Sequence, residues 1–134
     1  MTSTYPSRIL SITIDRPLEQ VYDYIYELKH FPDWATSFCL SIQVAGDEGR
    51  METPEGPAVI RFVERNRWGV LDHWVSVPNG PENYISLRVI PNGAGSELVF
   101  TLLQLPGVTD EVFSDDARRV GQDLHSLKKI LEAR

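Results

Sequence analysis

The chain has 134 residues, of which 42% are hydrophobic and 24% are charged, and these proportions are typical of one globular domain. The formal net charge is −6, and no basic stripe could release counterions from a phosphate backbone, so we expect no nucleic-acid partner. One cysteine, three scattered histidines without metal-ligand spacing and no apolar run of membrane-spanning length lead us to expect no metal, no cofactor and a cytoplasmic protein.

The first quarter of the chain predicts a strand followed by a helical elbow. Residues 8–14 alternate apolar and polar side chains with the period of a half-buried strand. Pro17 suits the first turn of a helix, which apolar residues at spacings of three and four carry to about Lys29. Pro32 breaks that helix and begins a second one within 30–34, HFPDW. We therefore expect two short helices after the first strand.

The central part of the chain predicts a meander of antiparallel strands. Turn residues separate its extended segments, and the spacers between them are too short for parallel crossovers. The six segments predicted as strands are 38–45, 49–54, 57–65, 69–77, 83–90 and 96–105. Together with the first strand they make a sheet of about seven strands.

A long helix from about 110 to 133 follows the meander. Thr109 can cap it, and the acidic Asp110 and Glu111 favour its positive end. Apolar residues at spacings of three and four form one stripe along it, namely Phe113, Ala117, Val120, Leu124, Leu127 and Leu131. The stripe predicts that this helix packs against the sheet.

This order of elements resembles the START-like or Bet v 1-like (SRPBCC) superfamily, in particular a bacterial branch similar to polyketide cyclases and dehydrases. The likeness lies in the opening ILSITIDRPLEQVYDYI, the elbow HFPDW and the helix after LLQLPGVTDEVF, and it extends over nearly the whole chain. It implies one α+β domain, 1–134, with the helix-grip fold, in which a curved antiparallel sheet wraps around the C-terminal helix and leaves a cavity. Because the superfamily includes carriers, cyclases and interaction modules, it implies little about chemistry.

Strand alternation places a candidate acid/base pair on the inward face of the sheet. A hairpin of 57–65 with 69–77 sets Phe62 opposite His73, and the same register carries Glu64 to the inward face. A histidine beside a carboxylate could serve a polyketide cyclase or dehydratase. The structural alternative is that His73 is a satisfied wall residue and that Glu64 lies at the solvated rim.

The opposite face of the same strands carries charged residues of both signs. If 83–90 continues the register, Arg88 lies directly across from Asp72, with Arg61 or Arg65 as a second partner. We interpret the group as a structural ion ladder on the convex surface rather than as an anion site.

A ligand site is expected between the sheet and the first half of the last helix, because one straight helix cannot fill the hollow of a twisted sheet. The elbow should lie at its entrance. The residues expected to contact the ligand are Trp34, Phe62, His73, Leu87, Phe100 and Leu124. Within this wall His73 can both donate and accept a hydrogen bond, so it should orient a hydroxyl or carbonyl group.

Three functions remain open from the sequence. The first is binding of a small hydrophobic or aromatic molecule, lipid- or polyketide-like, by a monomer or homodimer. The second is a cyclase or dehydratase that uses His73 with Glu64, and the third is a protein interaction module without a ligand. A polar pocket around His73 would favour catalysis, an apolar cavity would favour binding, and a collapsed core would favour interaction.

Overall fold

A computed structural model describes residues 3–134. The described strands form one antiparallel sheet in the order β1-β7-β6-β5-β4-β3-β2. The strands are β1 Ser7–Ile14, β2 Ser41–Ala45, β3 Glu48–Thr53, β4 Gly56–Phe62, β5 His73–Ser76, β6 Glu82–Asn92 and β7 Gly95–Leu103. The helices are α1 Leu18–Tyr26, α2 Phe31–Trp34 and α3 Asp110–Glu132, with a 3₁₀ turn, Leu28–His30, between α1 and α2.

The helix-grip architecture expected from the sequence is confirmed. A curved antiparallel sheet packs on α3, and the two short helices follow β1. Thr109 caps α3, because its side chain accepts a hydrogen bond from the backbone N–H of Val112 at 3.2 Å. The buried side of α3 contains the predicted stripe, with Val120 only partly buried. The buried members of the stripe are Phe113, Ala117, Leu124, Leu127 and Leu131. None of the helices within residues 3–134 is both long enough and apolar enough to cross a membrane.

The predicted register is confirmed between β4 and β5 and between β6 and β7. Phe62 pairs with His73 across β4 and β5, and Leu87 pairs with Phe100 across β6 and β7. Because side chains on paired positions share a face, these pairs place one continuous apolar wall toward α3. His73 therefore belongs to the inner face, as the alternation predicts.

The hairpin between β4 and β5 is less regular than the sequence predicts. The strands end at Phe62 and begin again at His73, so a ten-residue loop replaces the expected tight turn. The Asn66 side chain holds this loop, because its Oδ1 accepts hydrogen bonds from the N–H groups of Trp68 and Val70, each at 3.0 Å. One further backbone bond, from the Val63 N–H to the Asp72 carbonyl at 2.9 Å, extends the pairing of β4 and β5 past Phe62. Strand alternation no longer applies to the loop residues 64–68 that follow.

Candidate ligand-binding site

A cavity of about 340 Å³ lies between the sheet, the elbow and the N-terminal half of α3, where the sequence predicts space. The sheet contributes His73, Ile85, Leu87, Phe100 and Leu102. The elbow and the residues directly after it contribute Phe31, Trp34, Ala35, Ser37 and Phe38. Helix α3 contributes Val112, Asp116, Arg119, Val120, Asp123 and Leu124, and the turn after β3 contributes Glu55. The wall is thus mainly apolar, with its charged groups on the helix and the turn.

Five of the six predicted ligand contacts lie in this wall. They are Trp34, His73, Leu87, Phe100 and Leu124. Phe62 lies behind the wall instead, where its ring packs edge-on against His73, with 5.2 Å between the ring centroids. It also packs against Phe31 at 5.8 Å. Phe62 is therefore placed to fix the His73 ring rather than to touch a ligand.

Glu64 does not lie where the sequence places it. Its side chain is exposed in the loop after β4 and does not line the cavity. The predicted position requires strand pairing as far as Glu64, but the pairing ends after Val63, and an unpaired carboxylate is most stable in water. The structure does not bring Glu64 to His73 in the cavity.

His73 presents a hydrogen-bond acceptor to the cavity. Its Nδ1 lies 2.9 Å from the carbonyl oxygen of Leu71, and because a carbonyl only accepts, Nδ1 carries the proton. Burial lowers the pKa of His73, and the Leu71 hydrogen bond and the Asp72 charge oppose this only in part, so the ring is neutral at pH 7. Nε2 then carries a lone pair. It has no hydrogen-bond partner within residues 3–134, so it is free to accept from a ligand.

The Leu71 carbonyl is free to accept from His73 because the Asp72 carboxylate accepts the backbone hydrogen bond that this carbonyl would accept in a regular sheet. Leu71 and Leu87 exchange one regular backbone bond, in which the Leu71 N–H donates to the Leu87 carbonyl at 2.8 Å. The return bond is absent, since the Leu87 N–H donates to Oδ1 of Asp72 at 2.9 Å. Asp72 therefore satisfies a backbone donor and leaves the Leu71 carbonyl to His73.

The environment of Asp72 differs from the predicted surface ladder. Its side chain is fully buried, at 0% exposure, and the Nη2 atom of Arg88 lies 3.0 Å from Oδ2. The hydroxyl of Tyr84 donates to the same oxygen. Burial raises the pKa of Asp72, but these hydrogen bonds, that of the Leu87 N–H and the Arg88 charge outweigh it and leave the pKa below its ordinary value.

Two predicted details of the Asp72 cluster are wrong. Pairing of β5 with β6 sets Arg88 opposite Val70, so Arg88 reaches Asp72 diagonally rather than directly across. Neither of the other predicted arginines contacts Asp72. The guanidinium of Arg61 stacks on the Trp74 ring at 4.5 Å, and that of Arg65 bonds Asp23 at 2.8 Å. Arg61 thus interacts with the neighbouring strand β5, and Arg65 with helix α1.

Asp123 is a buried acid that the sequence reasoning missed. It lies on the cavity side of α3 and is 7% exposed. The Ser37 hydroxyl donates to its Oδ2 at 2.7 Å, and the Ser37 N–H donates weakly to Oδ1 at 3.3 Å. Burial raises the pKa of Asp123, and the Ser37 hydrogen bonds only partly offset this. Helical spacing could have predicted its position on the buried face, because residue 123 is three residues after Val120 and four before Leu127.

The remaining charged groups of the wall are mainly carboxylates. Glu55 and Asp116 add two carboxylates, whereas the only guanidinium, that of Arg119, is bound to Asp115 at 3.0 Å. The indole N–H of Trp34 is sealed by protein atoms and has no acceptor among residues 3–134. Within the same residues no group of three His, Cys, Asp or Glu side chains is close enough to hold a metal ion.

Comparisons with known proteins find similarity in structure and not in sequence. No family model matches the sequence, and no curated protein matches it. A START superfamily protein from Mycobacterium smegmatis superposes with a TM-score of 0.75 at 9% identity, covering 95% of this chain and 97% of that one. Ara h 8.0201 superposes with a TM-score of 0.70 at 11% identity, covering 96% of this chain and 99% of that one.

A third similar structure comes from a biosynthetic locus. DynU16, a protein in the dynemicin biosynthetic locus, superposes with a TM-score of 0.71 at 14% identity. The match covers 94% of this chain and 47% of that one, so the chain corresponds to about half of DynU16. At these low sequence identities, the comparisons establish similarity of fold alone. The chain has the helix-grip fold of START-like and Bet v 1-like proteins.

Proposed function

We propose that the protein binds a small, largely apolar molecule in the cavity between the sheet and α3. The observation that supports this is the cavity itself, whose volume of about 340 Å³ lies in the range of roughly 300 to 1,000 Å³ common for ligand pockets. Its mainly apolar wall suits a lipid- or polyketide-like molecule. A START superfamily protein has the same fold. We further propose that the protein acts in the cytosol.

The two other functions have less support. A cyclase that uses His73 with Glu64 would need both groups at the substrate, but Glu64 is exposed outside the cavity. An interaction module without a ligand would not need the open space beside Val120 and Phe100. Binding therefore accounts for the arrangement with the fewest assumptions.

The proposal is tested by filling the cavity with a side chain. Val120 lines the cavity and is partly buried, so Val120→Trp should occupy much of the space. The neutral dye N-phenyl-1-naphthylamine, which fluoresces in apolar surroundings, should bind the parent protein and lose at least about tenfold in affinity for this variant. Dye titration followed by fluorescence measures both.

A matched substitution provides the control. Val44 lies on strand β2, is 47% exposed and does not line the cavity, so Val44→Trp adds the same side chain outside it. Its dye affinity should equal that of the parent. Equal loss in both variants, or no dye binding by the parent, would show that the cavity is not a binding site.

A further inference from the structure

Two polar groups in the cavity wall can accept a further hydrogen bond. The Asp123 carboxylate accepts from Ser37 and has lone pairs to spare. On the opposite wall, Nε2 of neutral His73 is an acceptor without a partner in the described chain. The one indole donor of the wall, on Trp34, is covered by protein atoms. Apart from the guanidinium of Arg119, whose Nε is bound to Asp115, the polar groups of the wall that are open to the cavity are therefore acceptors.

The two buried aspartates of the protein differ in how their charge is neutralised. Asp72 receives hydrogen bonds from a guanidinium, a hydroxyl and a backbone N–H. Asp123 receives only those of Ser37, and within residues 3–134 it forms no ion pair. A buried carboxylate without a cation is unfavourable. What Asp123 lacks is a positive charge on its cavity side.

The charges around the cavity favour a cation as the missing partner. Glu55 and Asp116 lie in the wall together with Asp123, and the guanidinium of Arg119 is engaged by Asp115. The chain as a whole has a formal net charge of −6. A cavity lined by carboxylates attracts cations and repels anions, and the apolar surroundings strengthen the effect.

We propose that the cavity selects an apolar molecule that carries a protonated amine, whose ammonium group binds the Asp123 carboxylate. Its apolar part would occupy the space bordered by Leu87, Phe100 and Val120. A second donor on the ligand, such as a hydroxyl, would bind Nε2 of His73. The inference rests on the proposed binding function and adds a charge class to it, and it excludes fatty acids and other anions as preferred ligands.

Three naphthalene derivatives of nearly equal size test the charge preference. They are 1-naphthylmethylamine, which is a cation at pH 7, 1-naphthalenemethanol, which is neutral, and 1-naphthoic acid, which is an anion. Titration calorimetry on the parent protein at pH 7 should give about ten- to hundredfold tighter binding of the amine than of the alcohol. The acid should bind most weakly.

Asp123→Asn tests whether Asp123 is the group responsible. Asparagine keeps the size and an acceptor for Ser37 but removes the charge. The variant should lose about ten- to hundredfold in affinity for the amine and bind the alcohol within about threefold of the parent. Asp47→Asn, which removes the same charge in the exposed turn between β2 and β3, should leave both affinities unchanged.

The outcomes separate this inference from the proposed function. Equal binding of amine and alcohol by the parent, tightest binding of the acid, or equal loss of amine and alcohol in Asp123→Asn would each overturn the amine preference while leaving a binding cavity. Failure of all three compounds and of the neutral dye to bind would overturn the proposed function. Thermal unfolding of each variant confirms that it is folded.

Discussion

Asp72 acts on the site from the outer side of the sheet, through a single exchange of hydrogen bonds. Its carboxylate accepts the hydrogen bond of the Leu87 N–H. The Leu71 carbonyl, which would otherwise accept from this N–H, instead accepts from Nδ1 of His73 and holds the ring in place. The nitrogen that faces the cavity is thereby determined by a carboxylate that does not line the cavity. A ligand carbonyl, which the sequence alone allowed, does not match this tautomer, whereas a hydroxyl or an amine does.

Substitutions of Asp72 should therefore affect both stability and His73. Asp72→Ala leaves the Leu87 N–H and the Tyr84 hydroxyl without their acceptor, and we expect it to lower the free energy of unfolding by about 3 kcal/mol. Asp72→Asn keeps an acceptor and should lose about 1 kcal/mol, because Arg88 is half exposed. Urea unfolding at pH 7 measures both values.

Two further readouts distinguish this role from simple packing. The ¹⁵N chemical shifts of the His73 ring should report a proton on Nδ1 in the parent and a mixture of tautomers in Asp72→Ala. Because the folded-state pKa of Asp72 is lowered, its contribution is fully present above the ordinary value of about 3.9 and is lost as the pH falls from there through the folded-state pKa. An unchanged tautomer in Asp72→Ala would contradict the exchange.

At the scale of elements, one face of α3 both packs into the core and lines the cavity. Leu127 is 0% exposed and surrounded by core residues, whereas Leu124 is 2% exposed and also borders the cavity. A side chain beside empty space already lacks contacts on that side, so its removal forfeits less dispersion energy. The two leucines therefore differ in environment although their exposure is nearly the same.

Alanine substitutions should reveal that difference. Leu127→Ala should lower the free energy of unfolding by about 4 kcal/mol, and Leu124→Ala by about 2 to 3 kcal/mol. Leu124→Ala should also keep or improve binding of the neutral dye, because it enlarges the cavity. Urea unfolding and dye titration check the two statements. A larger loss for Leu124→Ala would mean that the cavity is closed by core packing in solution.

The sequence predicted those features that depend on periodicity over a whole element. Alternation sufficed to place His73, Leu87 and Phe100 on the inner face, and helical spacing sufficed for the buried stripe of α3. The position of Glu64 was predicted wrongly because alternation determines the direction of side chains only while the chain remains in the sheet. Asp123 was overlooked because the helical stripe was traced through apolar residues alone, and a carboxylate at the same spacing was not considered.

At the scale of the whole molecule, the two buried aspartates have opposite effects on stability. Asp72 contributes to stability because its hydrogen bonds and ion pair compensate for its burial. We expect Asp123 to reduce stability at neutral pH, because burial raises its pKa and no cation in the described chain forms an ion pair with it. A residue that destabilises the free protein while facing a cavity fits a ligand-binding role, since binding sites commonly trade stability for function.

Asp123→Asn should therefore stabilise the free protein at pH 7, by about 0.5 to 2 kcal/mol, the usual size of such gains. A raised folded-state pKa means that the folded protein takes up a proton before the unfolded chain does. The penalty of the charged form thus disappears as the pH falls from the folded-state pKa to below about 3.9. The gain of the variant should shrink over the same range.

Urea unfolding of parent and variant from pH 8 to pH 4 measures this difference. The other titrating groups of the cavity wall, namely Glu55, His73 and Asp116, are present in both proteins, as is the charge of Arg119, so the difference isolates position 123. Saturating 1-naphthylmethylamine should reverse the order at pH 7, because it stabilises the parent and binds the variant weakly. A variant less stable than the parent at pH 7 without ligand, or a difference independent of pH, would show that Asp123 is not a destabilising buried charge.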